Sequence, residues 1–244
     1  MNLVIDFGNT FHKVAFFNNG ELVEKATFSA FRLDAIQKLV GKNNPTSAIL
    51  SSVANHPPDL EEYLHQHFFT IILSENTPLP IQNKYDSPET LGKDRLAAAV
   101  GAHAIFPQND CLAVDAGTCI TYEFVDKMGN YQGGAISPGI KMRFEALHNF
   151  TARLPFVDIF KSKIEMPALT GKTTEGSISS GVIHGVVAEF DGVIERYKSR
   201  YPALQILVTG GDASVFETHS KNVIFAAPNL VLTGLNQILE HNVS

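Results

Sequence analysis

The chain has no tryptophan and only two cysteines in 244 residues. Two cysteines cannot build a disulfide framework. Cys111 and Cys119 flank an apolar, strand-like run, and they read as buried free thiols in a reducing cytoplasm. Long hydrophobic runs are missing too. No stretch approaches the ~18 apolar residues of a membrane span, and Asp6 interrupts the opening run MNLVIDFGNT too early for a signal peptide. A basic surplus is also lacking, since 19 Lys+Arg stand against 25 Asp+Glu and the net charge is −6. General binders of nucleic acid or anionic membrane carry a positive stripe. Neither partner is expected. What remains is ordinary globular composition, 44% hydrophobic and 18% charged, which can fill a real core.

Short apolar runs at 2–6, 13–17 and 21–28 are separated by GNTFH and by Asn18-Asn19-Gly20, the pattern of a three-stranded meander. Leu33, Ile36, Leu39 and Val40 follow helical spacing up to Gly41. Strand 47–53, helix 60–68 and strand 69–73 complete a β-β-β-α-β-α-β order, which argues for helices covering a mixed sheet. A Pro-, Asn-, Ser- and Gly-rich connection over 74–92 leads into an Ala-rich helix at 93–106. Long connections of this kind are usually functional or disordered.

The opening then recurs. CLAVDAGTCITYEFV (111–125) has the pattern of LVIDFGNTFHKVAFF (3–17), with Asp115 aligned to Asp6 and Gly117 to Gly8. Each copy continues into a third strand after an Asn/Gly turn. The expectation is a duplicated α/β fold with domains 1–108 and 109–244. Helical patterns follow at 139–150 and 174–199, a strand at 203–209 runs into Gly210-Gly211, and a helix at 229–240 ends the chain.

Two Asp-containing turns with glycine at strand ends suit phosphate chemistry. Glycine lets backbone N–H groups approach a phosphate closely, and a strand-end carboxylate can hold a metal ion directly or through water. Two such loops facing each other across a cleft would clamp a nucleotide triphosphate. Asp and Gly are also plain turn formers. The third turn, Gly210-Gly211-Asp212, adds weight to the phosphate reading.

DFGNTFHK (6–13), DAGTCIT (115–121) and TGGD (209–212) resemble the phosphate and adenosine loops of the acetate and sugar kinase/Hsp70/actin superfamily. More narrowly, the chain resembles the type III pantothenate kinases. The marks are D-x-G-N-T-x-x-K at 6–13, PETLGKDR at 88–95, DAGT at 115–118, GGAISPG at 133–139, Leu154-Pro155 and LVTGGD at 207–212. The resemblance spans the chain and implies duplicated actin-like, ribonuclease H-like domains. It implies ATP-dependent phosphorylation of pantothenate, the first step of coenzyme A biosynthesis, by a cytoplasmic homodimer.

The resemblance also implies residue roles. Asp94 would be the catalytic base. Asp6, Gly8, Asn9, Thr10, Lys13, Gly117, Thr118, Gly210 and Gly211 would meet ATP and its phosphates. Tyr85, Gly92, Lys93, Asp94, Arg95 and, from the partner of a dimer, Thr174 would meet pantothenate. Asp6 would hold Mg²⁺ directly or through water, and Asp115 a monovalent cation, K⁺ or NH₄⁺. Sequence alone does not separate a monovalent cation from Mg²⁺ at Asp115. Each residue has a plainer reading as well. Lys13 suits a strand edge, Asp94 a helix start, Arg95 a surface charge, and Thr174 the N-cap of a helix over 175–199. That helix carries apolar residues on two sides, so it either offers one side to a partner or is buried within its own domain. Cys119 stands where the family often has alanine, and burial is expected for it.

Other matches fail on context. Asp6-Phe7-Gly8 lacks the other protein-kinase motifs. Gly171-Lys172-Thr173 lacks the first glycine of a phosphate loop, Met166 standing there. His65 and His67 read as solvated surface, and Asn149-Phe150-Thr151 as a glycosylation match without a secretory context. A kinase for another small molecule, a non-catalytic regulator or an actin-like filament protein would share the fold. Retention of Lys13, Asp94 and Asp115 favours an enzyme.

Overall fold

The computed structural model describes all residues except 9–10, 31, 53–56, 159–163 and 244. The chain divides into two compact units. The first comprises Met1–Gln108, Val125–Gly133 and Asn229–Ser244, and the second Asn109–Phe124 and Gly134–Pro228.

In the first unit, β1 (Asn2–Phe7), β2 (His12–Asn18) and β3 (Glu21–Phe28) form the meander, followed by α1 (Leu33–Asn43), β4 (Ser47–Ser52), α2 (Pro58–His67) and β5 (Phe69–Ile72). Asn19 and Gly20 both have positive φ, 50° and 80°, as a tight hairpin between right-twisted strands requires. The sheet order is β3-β2-β1-β4-β5. β1 is antiparallel to β2 and parallel to β4. β1 is central, so its side chains are buried on both faces and its sequence is nearly continuous apolar. β3, at the edge, alternates exposed and half-buried residues. Ile36 of α1 and Leu60 and Leu64 of α2 pack on Leu3, Ile5, Val14 and Phe16.

The connection to the next helix holds a two-residue strand, β6 (Gln82–Asn83), and one 3₁₀ turn at Pro88–Thr90 before α3 (Lys93–Ile105). β6 pairs with the first residues of β9 (Asn130–Pro138).

The second half of the chain repeats the strand order. Along it, β7 (Cys111–Ala116), β8 (Cys119–Val125) and β9 are followed by α4 (Ile140–Asn149), α5 (Thr174–Lys198), β10 (Gln205–Thr209), α6 (Ala213–His219), β11 (Phe225–Ala226) and α7 (Leu230–Val243). Its strands run β11-β10-β7-β8-β9, with β6 added at the edge beyond β9. Counted within each half, both sheets read third, second, first, fourth, fifth, with the first and fourth strands parallel. The duplication seen in two turns is therefore a duplication of whole topology.

The units differ from the expected 1–108 and 109–244 at two places. Segment Val125–Gly133 and helix α7 belong with the first unit. The reason for α7 is packing. It lies against β1, β4 and α3, and it meets α3 glycine to glycine. A Cβ on Gly234 would fall 1.8 Å from the Ala97 carbonyl oxygen, and one on Gly101 2.4 Å from that of Leu230. Only glycine at both crossing points lets these backbones approach so closely.

The apolar positions of α5, from Ile178 to Ile194, are buried in the core of their own unit. The helix is apolar on two sides because this unit covers it, which accounts for the pattern without a partner.

Candidate active site

The first Asp–Gly link leaves β1 at Asp6 and Phe7 and enters β2 at His12. Asp6 is buried, 7% exposed. In the sheet register it stands opposite Lys13 on β2 and beside Ser51 on β4. Antiparallel partners share a face, so a carboxylate and an ammonium occupy neighbouring positions at one end of the sheet. The Ser51 hydroxyl is buried there without a hydrogen-bond partner among the described residues. Gly8 closes the link on itself, since a Cβ would lie 2.8 Å from the Phe11 carbonyl oxygen. The His12 ring stacks on Phe7 at 3.9 Å. Asn9 and Thr10 lie outside the described residues.

A second group forms at the start of α3. Gly92 is its N-cap and Lys93 its first residue. The Asp94 carboxylate accepts the Arg95 backbone N–H at 2.8 Å, and a Cβ on Gly92 would meet that carboxylate at 2.6 Å. Asp94 is half-buried, at the helix end where the dipole favours negative charge. Arg95 is buried rather than a surface charge, and its guanidinium carbon sits 5.6 Å from the centre of the Tyr85 ring. A cation over an aromatic face gains electrostatic energy that burial strengthens. The Tyr85 ring is backed by Gly133, at φ +94°, where a Cβ would approach it to 3.2 Å. It also stacks on Tyr131, with centroids 6.2 Å apart. Tyr85, Gly92, Asp94 and Arg95 are thus brought together in the first unit. Tyr131 is a supporting residue that the sequence reading did not single out.

The second Asp–Gly link is shorter, with only Gly117 and Thr118 between β7 and β8. Its Gly117 N–H donates to the Cys119 carbonyl at 2.9 Å. Two other glycines press on it from outside. Gly210, at φ +98°, would place a Cβ 2.3 Å from the Ala116 carbonyl oxygen and 2.5 Å from the Asp115 carboxylate. Gly139 would place one 2.3 and 2.4 Å from the Gly117 and Thr118 carbonyl oxygens. The Asp212 N–H donates to the Ala116 carbonyl at 2.9 Å and the Gly139 N–H to that of Thr118 at 3.1 Å. Gly211 has open space at its Cβ position. Burial pushes the Asp212 carboxyl above its ordinary value. Asp115, Gly117, Thr118 and Gly210 therefore form one assembly. Gly139 belongs to it, and its signal was the glycine closing the GGAISPG run.

Two expectations are corrected. The N-cap of α5 is Thr173, whose hydroxyl accepts the Gly176 N–H at 3.0 Å, and Thr174 is the first helical residue. The hydroxyl next to a free N–H wins the cap whatever its neighbour's type. Cys111 is buried, but Cys119 is half-buried because it opens β8 beside the two-residue link. Thr174 lines a largely apolar cavity of about 760 Å³ with Arg143, Leu147, Phe150, Ile178 and Val182. Phe150 is 88% exposed at its edge. Among the described residues no three His, Cys, Asp or Glu side chains come together as metal ligands.

These features can bind phosphate through glycine-rich turns, place a carboxylate against a hydroxyl, and hold a polar substrate with a buried guanidinium. Comparison with known proteins agrees. The family model for type III pantothenate kinase matches residues 2–196. A type III pantothenate kinase of Bacteroides fragilis is 46% identical over 243 residues, covering 99% of this chain and 98% of that one. Among solved structures, a Campylobacter jejuni protein provisionally classed as a Baf family transcriptional activator superposes with a TM-score of 0.61 at 21% identity, covering 99% and 98% of the two chains. A ROK family glucokinase from Streptomyces griseus, solved with glucose and AMPPNP, gives 0.53 at 10% identity over 98% and 99%. The last two speak for the fold alone. The family match over most of the sequence goes further, and the chain belongs to the type III pantothenate kinase family.

Proposed function

We propose that this chain transfers the γ-phosphoryl group of ATP to the hydroxyl of pantothenate, giving 4′-phosphopantothenate and ADP, the first step of coenzyme A biosynthesis. The observation that carries this reading is the group at the start of α3, where Asp94 and Arg95 stand with Tyr85 in a family member. Arg95 and Tyr85 hold the polar end of pantothenate, with Gly92 and Lys93 beside them. The substrate oxygen attacks the γ-phosphorus while the bond to the ADP oxygen breaks. Asp94 accepts the hydroxyl proton late in this loose transition state, when the oxygen has become acidic.

The links at Asp6–Lys13 and Asp115–Thr118, with Gly210 and Gly211, supply the phosphate contacts. Asp6 and Asp115 offer carboxylate oxygens, the donor class that suits Mg²⁺ and K⁺, and single carboxylates fit cations held largely by water and substrate phosphate. Mg²⁺ at Asp6 and a monovalent cation, K⁺ or NH₄⁺, at Asp115 would neutralise phosphate charge. Support for a homodimer comes from the cavity beside Thr174, apolar and edged by exposed Phe150. In that dimer Thr174 of one subunit completes the pantothenate site of the other. Free thiols at Cys111 and Cys119 suit the cytoplasm.

The test is an ADP-release assay with pantothenate and ATP, with and without K⁺. Pantothenate-dependent and K⁺-stimulated ADP release is expected, and no release would sink the reading. Asp94→Asn should lower kcat by about 10²–10⁴ with little change in KM for ATP. Mixing Asp94→Asn and Thr174→Ala chains should restore part of the activity if the site is shared.

A further inference from the structure

Arg143 is unusual in its setting. It lies in the first turn of α4, which contains no acidic residue. A cation at a helix N-terminus opposes the helix dipole. Its side chain is nevertheless only 20% exposed and makes three hydrogen bonds. Nε donates to the Pro138 carbonyl at 2.8 Å, and Nη2 donates to the Ser137 hydroxyl at 2.8 Å and to the Glu189 carboxylate at 2.7 Å. Glu189, on α5, supplies the negative charge that the helix start does not.

The carbonyl that Arg143 holds belongs to a peptide unit with a second attachment. The Pro138–Gly139 peptide is planar, so its C=O and N–H move together. Its C=O is held by Arg143, and its N–H donates to the Thr118 carbonyl at 3.1 Å. Proline fixes φ at 138 and leaves ψ as the free angle. Arg143 fixes that angle. Gly139 then bears on the Gly117 and Thr118 carbonyls with no room for even a Cβ.

We propose that Arg143 and Glu189 are positioning residues for the nucleotide, holding the Gly117-Thr118 link in its phosphate-binding shape through the Pro138–Gly139 peptide. Neither touches the nucleotide in this account. The inference rests on the reading of 115–118 as a phosphate link.

The experiment measures ADP affinity by calorimetry without pantothenate, and KM for both substrates, in full-length variants. Arg143→Met keeps most of the side-chain volume and removes all three hydrogen bonds. It should weaken ADP about tenfold and raise KM for ATP similarly, the size expected for losing charge-assisted hydrogen bonds. KM for pantothenate should stay within about twofold. Arg143→Lys, which keeps the charge, should recover part of the affinity. The double variant with Glu189→Gln should be no worse than Arg143→Met alone, because both act through one peptide.

Unchanged ADP affinity in Arg143→Met beside a weakened Thr118→Val would overturn the brace alone. A change confined to KM for pantothenate would assign Arg143 to the cavity beside Thr174 and also overturn it. Unchanged ADP affinity in Thr118→Val would overturn the phosphate-link reading, and the brace with it. Should Arg143→Met fail to fold, Glu189→Gln carries the test. ADP weakened about threefold or more would support the brace, and unchanged affinity would overturn it.

Discussion

The two Asp–Gly links are alike in sequence and unlike in support. Among the described residues, a Cβ on Gly8 would meet Phe11, a residue of its own hairpin, at 2.8 Å. The segment Asp115 to Thr118 is closed by residues of other elements, Gly139 before α4 on Gly117 and Thr118 and Gly210 after β10 on Asp115 and Ala116, with Cβ approaches of 2.3–2.5 Å. The first link is thus met, among the described residues, from within its own hairpin and the second from other elements. External pressure fixes a short link rigidly, and it makes residues distant in sequence part of the site.

The strongest test of this contrast is a pair of alanine substitutions. Gly139→Ala inserts a methyl between two carbonyl oxygens, so the link or the start of α4 must move. A misplacement of about 1 Å can cost 10²-fold in rate, and a loss of about that size in kcat/KM is expected. Gly8→Ala meets one carbonyl of its own turn and should cost about tenfold or less. Equal losses, measured under identical substrate ranges, would show that both links depend on surrounding structure alike.

Stability gives a second contrast, between packed and open glycines. Gly234 of α7 lies against Ala97 of α3 without space for a Cβ, whereas Gly185 of α5 has nothing within 4 Å. Gly234→Ala should destabilise the protein by about 1–3 kcal/mol through overpacking. Gly185→Ala should stabilise it by roughly 0.5–1 kcal/mol through helix propensity. Denaturant titration reads both. A neutral Gly234→Ala would mean that the α3–α7 crossing yields easily.

Much of this was legible from sequence because hairpins and strand-end glycines are local signals. The three-strand meander, the Ala-rich helix and the repeat all rest on residues close in the chain. What escaped is long-range. Gly101 and Gly234 meet only after folding, so nothing local assigned α7 to the first unit. The seven residues of α6 and the two of β11 are too short to show a period. Nothing in the sequence set Arg143 apart, because its partners Pro138 and Glu189 meet it only in three dimensions. The two-sided apolar pattern of α5 could not distinguish a partner from the helix's own core, and the core accounts for it.

The cap of α5 separates adjacent threonines of different use. Thr173→Ala removes the hydroxyl that accepts the Gly176 N–H and should cost about 1 kcal/mol. In a chain of this size that is a fall of about 2–4 °C in Tm. Thr174→Ala should leave Tm nearly unchanged while raising KM for pantothenate. The reverse pattern would exchange the two roles.

The smallest effect, and the one most specific in sign, lies in two aspartates at turns, one in each unit. Burial raises the Asp212 carboxyl above its ordinary 3.8, so the folded chain holds that proton more tightly than the unfolded one. The stabilisation is then complete below the unfolded value and lost as pH rises through the folded one. At neutral pH the ionised, buried carboxylate is a net cost. Asp126 runs the other way. Burial alone would raise its carboxyl, but hydrogen bonds from Asn130, through backbone and side chain, and from Gln132 and Met128 together outweigh burial and lower it. Its contribution is present above the unfolded value and lost as pH falls through the folded one. Asp212→Asn keeps the backbone N–H that reaches Ala116 and should raise Tm at pH 7 by about 1–3 °C. Asp126→Asn should lower Tm by a smaller amount, because solvent screens this more open carboxylate. Both differences should shrink towards acid pH, the first as Asp212 protonates and the second as Asp126 does, with the Asp126 difference persisting to lower pH. Tm measured across pH 3–8 would show it, and equal signs at neutral pH would mean that burial, rather than local hydrogen bonding, governs both turns.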